Sequence, residues 1–209
     1  LLDRAEASLI RVGQGKFAAP AKESLLEMYQ IERDWKKAII AATELETLQG
    51  KSHHTEIAQF YCELSQEALL AKDLTGAEHA IQQALHAVPN HTRALILQGD
   101  YLMAIDEPVQ AIEAWGVVAS SHPAYMHLIA DRWMLAHTAI GKAESGLDRL
   151  CELLKTQASG ELLDLVHKQM MQIRGMQAAN AMLSEVMLHS PSLSALSKLA
   201  ETRLALEQG

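Results

Sequence analysis

Apolar residues recur along this chain at helical spacing, and the pattern itself recurs at a fixed distance. Ala77, Ile81, Ala84 and Pro89 are each followed 34 positions later by a residue that plays a comparable part. The later set is Ala111, Trp115, Val118 and Pro123. Steps of three and four residues place the first three members of each set on one face of a helix. The pattern therefore predicts a helical unit that is repeated.

The same spacing continues in both directions. Upstream it includes Ala38, Ala42 and Leu45, and downstream it includes Gly146, Leu150 and Leu153, then Ala179, Leu183, Val186 and Pro191. A small residue, a large apolar residue, another apolar residue and a proline, repeated every 34 residues, are typical of the tetratricopeptide repeat, a helix–turn–helix unit. We therefore expect an all-α fold, a right-handed superhelical solenoid of such units.

The register divides the chain into repeats of one solenoid, residues 1–209. Full repeats are predicted at about 19–57, 58–91, 92–126, 127–159 and 160–191, with half-repeats at 1–18 and 192–209. A polar insert at 51–55 lengthens the first connection. Because a complete array needs polar capping helices at its ends, we expect this chain to be a piece of a longer protein.

The pattern predicts antiparallel pairs of helices of about 12–16 residues each, and local signals refine it. Thr75 and Glu78 predict a capping box at the start of a second helix. Pro108 is expected in the first turn of the equivalent helix one repeat later. Trp115 and Trp133 are predicted to be core residues, and Trp35 is predicted to pack between repeats.

Composition narrows the classes of partner. The formal net charge is −8, which argues against nucleic acid or an anionic membrane surface as the main partner. No run of about 18 apolar residues predicts a membrane span, so we expect no direct membrane insertion by this segment. Cys62 and Cys151, the two cysteines, are far apart in sequence, which favours free thiols over a structural disulfide.

Residues that could carry chemistry do not form a recognisable catalytic or metal site. None of the ten histidines has the spacing of a zinc protease, and no Cys-x-x-Cys pair is present. Cys62 lies among Phe60, Tyr61 and Glu63, a packed helix rather than the setting of an activated thiol. We therefore expect no catalytic residue, no metal and no cofactor in this segment. The methionines between 170 and 187 could form an adaptable binding face, although core filling is the favoured use.

On the first helix of each predicted repeat, residues at fixed offsets are expected to line the concave face, a candidate partner-binding groove, and we call these residues the first-helix row. In this register the row consists of Glu23 and Glu27, Cys62 and Gln66, Ile96 and Asp100, Asp131 and Leu135, and Asp164 and Lys168. An acidic residue recurs in most repeats, so a basic or polar partner segment is favoured. The alternative is that these acids only keep an exposed face soluble.

Three stretches go beyond a generic repeat. The first is Arg4-Ala5-Glu6. The second begins at Leu26 and Tyr29 and continues through Trp35 to Lys37-Ala38-Ile39. The third extends from Glu56 to Leu64 and contains the run Phe-Tyr-Cys-Glu-Leu. With these stretches the chain resembles the bacterial lipopolysaccharide assembly protein B family. The resemblance is close from Leu1 to about Pro123 and looser from Ala124 to Gly209.

The resemblance implies an adaptor at the cytoplasmic face of the bacterial inner membrane. Such an adaptor would bring the LpxC deacetylase to the membrane protease FtsH and thereby restrain lipopolysaccharide synthesis. The family also has an N-terminal membrane helix and a C-terminal rubredoxin-like module for iron or zinc, and this chain contains neither. The family has no known catalytic residues in its repeats, so the resemblance implies none here.

Two other hypotheses stay open, and so does the oligomeric state. The chain could be a generic repeat scaffold of another envelope assembly, such as a secretion, pilus or haem-biosynthesis complex. It could also be a repeat segment attached to an enzyme, such as a glycosyltransferase, whose catalytic domain lies elsewhere. Apolar helix faces at both ends could drive pairing into a homo-oligomer.

Overall fold

The computed structural model describes residues 2–156 and 159–208. Within these ranges it contains twelve α-helices, two 3₁₀ segments and no strand. The helices are α1 (Leu2–Val12), α2 (Ala18–Glu32), α3 (Trp35–Gln49), α4 (His54–Leu70), α5 (Leu74–Ala87), α6 (Thr92–Ala104), α7 (Pro108–Ser121), α8 (Ala130–Ala139), α9 (Ala143–Thr156), α10 (Gly160–Ile173), α11 (Met176–His189) and α12 (Leu193–Gln208). The 3₁₀ segments are Gly15–Phe17 and Pro123–Leu128. The predicted all-α class of tetratricopeptide helix pairs is confirmed.

The repeat positions that the sequence singled out are the ones that pack. The small residues Ala38, Ala77, Ala111 and Ala179 are fully buried, and Gly146 is buried at the same position of the repeat. Trp115, Leu150 and Leu183 are also fully buried, and they follow the small residue by four positions. A small residue lets the two helices of a pair approach, and the larger one fills the space beside it.

Each turn from a first helix to a second helix contains one residue with positive φ. These residues are Arg33, Lys72, Asp106, Gly141 and Gly175, with φ between 57° and 84°. They recur at nearly the same spacing as the repeat itself. A left-handed residue at the end of a helix reverses the chain and is usually glycine. Three of the five turns therefore use residue types that adopt this conformation at a cost.

Two local expectations are wrong. Helix α5 begins at Leu74, and its N-cap is Asp73, whose side chain accepts a hydrogen bond from the backbone N–H of Gly76. Thr75 therefore lies inside the helix, and the predicted capping box is absent. Helix α8 is also shorter than the expected 12–16 residues, because the 3₁₀ segment Pro123–Leu128 precedes it. Pro108 begins α7 as predicted.

The chain divides into two compact units, residues 1–105 and 106–209, which we call unit 1 and unit 2. In unit 1, Trp35 of α3 stacks on Phe60 of α4 with ring centroids 5.9 Å apart, so it packs between successive repeats as predicted. In unit 2, the indole Nε1 of Trp133 donates to the carbonyl oxygen of Gly146 at 3.2 Å. This bond ties α8 to α9 inside the core.

The predicted repeat boundaries stay a prediction. Leu1, Gln157, Ala158 and Gly209, which belong to the predicted terminal half-repeats and the fourth repeat, lie outside the described residues. Among the helices that the structure describes, none is both long enough and apolar enough to cross a membrane.

Candidate functional site

The first-helix row begins on α2 with two exposed acids. Glu23 and Glu27 are one turn apart and both exposed, and Glu23 accepts a hydrogen bond from the Nε2 amide of Gln49 at 2.7 Å. A neutral amide leaves the carboxylate charge in place. The α2 part of the row therefore presents two negative charges to solvent.

Cys62 is a member of the row whose side chain is almost completely buried. Its side chain is 1% exposed, and its Sγ lies 3.6 Å from Nδ1 of His91. Burial raises the pKa of the Cys62 thiol to about 12. Burial also lowers the pKa of His91, so the neutral imidazole is favoured beside the thiol. The thiolate that a nucleophile needs is therefore disfavoured.

A polar cluster that the sequence did not predict joins α4 to α6. The guanidinium of Arg93 donates to Glu63 at 2.5 Å and to the predicted row residue Gln66 at 2.7 Å. The hydrogen bond from Arg93 holds the pKa of the Glu63 carboxyl below its usual range. Cys62 and Gln66 are uncharged and Arg93 neutralises the neighbouring Glu63, so the surface at this part of the row has little net negative charge. Arg93 and Glu63 are 30 positions apart, and only the repeat register could have paired them.

The remaining row residue pairs differ in exposure and charge. Ile96 and Asp100 are half-buried on α6 in unit 1. In unit 2, Asp131 is exposed and Leu135 is 61% exposed on α8. Single exposed apolar side chains are common on protein surfaces, so the exposure of Leu135 does not decide between partner contact and a solubilising role for this pair.

On α10 the acid of the row is paired. Asp164 forms an ion pair with Lys198 of α12, with Oδ1 and Nζ 2.9 Å apart. The row residue Lys168 is exposed. The unit 2 part of the row is therefore balanced in charge, whereas α2 in unit 1 is acidic. Whether any of the ten row residues contacts a partner stays a prediction.

Each unit also contains a cleft between a first helix and the second helices that precede and follow it. The unit 1 cleft has a volume of about 420 Å³ and is lined by Lys36, Tyr61, Leu64, Glu67, Ala68, Ala71, Asp73, Gly76, His79 and Ala80. The unit 2 cleft has a volume of about 370 Å³ and is lined by Asp148, Cys151, Glu152, Lys155, Met170, Arg174, Ala178, Ala181, Met182 and Glu185. Both volumes are within the range of small binding pockets.

The two clefts occupy equivalent places in the repeat. Ala68, Gly76, His79 and Ala80 of the unit 1 cleft each precede a residue of the unit 2 cleft by 102 positions, three periods of 34. The counterparts are Met170, Ala178, Ala181 and Met182. Neither cleft could be predicted from the sequence, because the walls of each come from three helices. Met170 and Met182, for which core filling is the favoured use, are buried at the floor of the unit 2 cleft.

No chemistry beyond binding is evident at these surfaces. Among the described residues, no group of three or more His, Cys, Asp or Glu side chains is arranged to hold a metal ion. The other thiol, Cys151, has a pKa raised to about 11, mainly by burial. The geometry defines a helical-repeat protein of the tetratricopeptide class with surfaces suited to binding other proteins.

The sequence of this chain is similar to those of known bacterial proteins. The chain is 27% identical to lipopolysaccharide assembly protein B of Escherichia coli over 209 residues, 98% of this chain and 53% of that protein. It is 32% identical to lipopolysaccharide assembly protein B of Haemophilus influenzae over 124 residues, 59% of this chain and 31% of that protein. The resemblance inferred from the sequence is thereby confirmed. The chain spans about half the length of the E. coli relative.

Other comparisons add less. No family model matches the chain. Among solved structures, it is similar to a thermophilic tetratricopeptide-repeat protein of Thermus thermophilus, with a TM-score of 0.47 and 13% identity over 95% of this chain and 99% of that one. It is also similar to PilW, a type IV pilus biogenesis factor, with a TM-score of 0.44 and 13% identity over 93% of this chain and 94% of that one. Neither likeness bears on function.

Proposed function

We propose that this chain is the repeat segment of a non-catalytic adaptor that regulates lipopolysaccharide synthesis by promoting proteolysis of the LpxC deacetylase by FtsH. The observation that carries the proposal is the similarity to lipopolysaccharide assembly protein B, which runs over 98% of the chain. The repeat class supports binding of protein partners along an extended surface. The assignment of FtsH and LpxC rests on the resemblance alone.

The proposal extends to the other properties that the resemblance implies. We place the protein at the cytoplasmic face of the bacterial inner membrane, and we assign no cofactor and no catalytic residue to this segment. The buried thiol of Cys62 and the half-buried thiol of Cys151, whose pKa values are both raised, support the absence of a cysteine nucleophile. The exposed acids of α2 support a partner segment that carries basic residues.

The test is the half-life of LpxC in the source bacterium after protein synthesis is stopped. The full-length protein is present in one culture, depleted in a second and restored from a plasmid in a third. We expect depletion to lengthen the half-life and restoration to shorten it again. An unchanged half-life would overturn the proposal and favour a scaffold of another envelope assembly. FtsH activity on an unrelated substrate is the control.

A further inference from the structure

The unit 2 cleft has an apolar floor between two clusters of ion pairs. Its floor contains Met170 and Met182, which are almost fully buried, and the half-buried Cys151. Methionine side chains are flexible and polarisable, so they adapt to the shape of an incoming apolar group. The floor of the cleft therefore suits one long apolar side chain without a strict demand on its shape.

An ion-pair cluster of two carboxylates around one cation lies at each end of the cleft, and every member lines the cleft except Glu144, which reaches it through Arg174. At one end Arg174 pairs with Glu144 at 2.5 Å and with Asp148 at 2.8 Å. At the other end Lys155 pairs with Glu152 at 2.7 Å and with Glu185 at 2.8 Å. One cation offsets only one of its two carboxylates, so one negative charge is left at each end.

The distance between these ends follows from the helix that supplies both. Glu144 and Asp148 lie on the first turns of α9, and Glu152 and Lys155 lie on its last turns. Four to eight helical residues separate the acids of the two ends, which is about 6–12 Å along the axis. Two basic groups on one face of a partner helix, seven residues apart, span about 10 Å.

We propose that the unit 2 cleft binds a helical segment of a partner protein that carries one long apolar side chain between two basic residues. The apolar side chain would lie on the floor formed by Met170 and Met182. A Lys or Arg about one turn before it and another about one turn after it would each meet the excess carboxylate at one end. None of the residues that line this cleft belongs to the first-helix row, so an adaptor could use the two sets of residues for two proteins.

The unit 1 cleft lacks this arrangement, which makes it a matched control. Small alanines, Ala68 and Ala80, stand where unit 2 has its two methionines. A cation, Lys36, lies at its rim, and Glu67 is already hydrogen-bonded by the indole of Trp35 at 2.9 Å. Glu67 and Asp73, the carboxylates of the unit 1 lining, accept hydrogen bonds from neutral groups and keep their charge, so the unit 1 cleft differs in lacking the methionine floor and the two ion-pair clusters.

The experiment uses a fluorescein-labelled, alanine-rich 18-residue peptide with a central leucine, a lysine three positions before it and another four positions after it. Binding is followed by fluorescence anisotropy with the whole chain. A second peptide with glutamates in place of the two lysines is the charge control. A photoactivatable leucine at the centre maps the binding place by cross-linking and mass spectrometry. We expect only the lysine peptide to bind, with cross-links to α9, α10 or α11.

Two variants at equivalent repeat positions test the location. Ala181 and His79 are both exposed, and each stands in the same place of its own cleft. Ala181→Trp fills the mouth of the unit 2 cleft and should weaken binding at least tenfold. His79→Trp should leave the affinity within twofold. Circular dichroism and the melting temperature report whether each variant is folded.

A double variant tests the charge without changing the shape. Asp148→Asn with Glu152→Gln leaves one carboxylate for Arg174 and one for Lys155, so an ion pair survives at each end while the excess charge is removed. Binding should weaken at least fivefold and should lose most of its dependence on salt. Both substituted side chains are more than half exposed, so the fold should persist.

Three results would overturn the proposal. They are equal binding of the glutamate peptide, unchanged affinity in folded Ala181→Trp protein, and cross-links confined to unit 1. The inference rests on the proposed scaffold role, but peptide binding involves neither FtsH nor LpxC. Failure of the peptide to bind would leave the result of the LpxC half-life experiment unaffected. An unchanged LpxC half-life would leave the unit 2 cleft as a binding site for another partner.

Discussion

Unit 1 and unit 2 form equivalent clefts 102 positions apart, yet the residues that line them differ in size and in how their charges are paired. Alanines in unit 1 are replaced by methionines in unit 2, and only unit 2 has two clusters in which one cation pairs with two carboxylates. The buried small residues that hold the helix pairs together are the same in kind in both units. The repeat pattern therefore determines how the helices pack, while the positions between the packing residues vary and can determine which partner is bound.

The helix contact at Gly146 gives the largest effect we expect on stability. A Cβ at Gly146 would lie 2.6 Å from Cγ of His137, which is buried beside it. Gly146→Ala should therefore lower the free energy of unfolding by about 1–3 kcal/mol, as overpacked cores do. Chemical denaturation measures the loss.

A matched glycine on α7 separates this clash from helix propensity. A Cβ added at Gly116 would have no neighbouring atom within 4 Å, so Gly116→Ala should raise the stability by up to about 1 kcal/mol. Adding His137→Ala to Gly146→Ala should recover part of the loss. A Gly146→Ala protein as stable as the Gly116→Ala protein would show that the two helices do not pack as described.

The turns between first and second helices differ between the units. Unit 1 has Arg33 and Lys72 in the left-handed conformation, whereas unit 2 begins with Asp106 at such a turn and then has Gly141 and Gly175. Lys72→Gly should stabilise the protein by about 1 kcal/mol, and Gly141→Ala should destabilise it by about as much. Thermal unfolding monitored by circular dichroism measures both. Changes of the same sign in the two variants would contradict the assigned turns.

Acid should weaken the α8–α9 pair of unit 2. Burial lowers the pKa of His137, and Lys142 is the nearby charge that acts in the same direction. A histidine whose pKa is lower in the folded state than in the unfolded state adds stability above its unfolded pKa of about 6.5. That stability is lost as pH falls from there through the folded value.

Hydrogen exchange of the α8 and α9 amides, corrected for intrinsic rates, checks this prediction. Protection should fall as the pH is lowered from 7 to 5. His137→Phe should flatten this pH dependence, and His137→Gln is the smaller variant for the case that the phenyl ring does not fit. Protection that stays constant over this range in the wild-type protein would rule out a neutral, buried His137.

The ion pairs of the first-helix row should matter least for stability. Arg93→Ala removes the link from α6 to Glu63 and Gln66 in unit 1, and Lys198→Ala removes the link to Asp164 in unit 2. Because these pairs are partly exposed, each change should cost about 0.2–1 kcal/mol. Denaturation at low and high salt measures the cost, and a loss above about 2 kcal/mol would show a structural role that we do not assign.

The buried positions of the fold could be predicted from the sequence because they repeat. The repeat register alone relates Ala77 to Ala111 and Trp115 to Leu150, and all four residues are buried as the register predicts. The left-handed turns at Arg33 and Lys72 could not be predicted, since neither residue type favours positive φ. The 3₁₀ segment before α8 also interrupts a register that otherwise continues.

The candidate site was less accessible to prediction because its properties depend on residues from different helices. The offsets that selected Cys62 gave no sign that His91 and the helices around it would bury the side chain. The same offsets selected Asp164 as an acid, but its neutralisation depends on Lys198, 34 positions later. A register predicts where a residue lies along a helix, whereas burial and pairing depend on its neighbours in space.

The most direct test of the account measures the LpxC half-life in cells whose only copy of the full-length protein carries Ala181→Trp or His79→Trp. We expect a lengthened half-life with Ala181→Trp, approaching that of depleted cells, and a wild-type half-life with His79→Trp, at equal protein levels. Wild-type turnover in both strains would contradict the claim that the unit 2 cleft holds a partner needed for proteolysis.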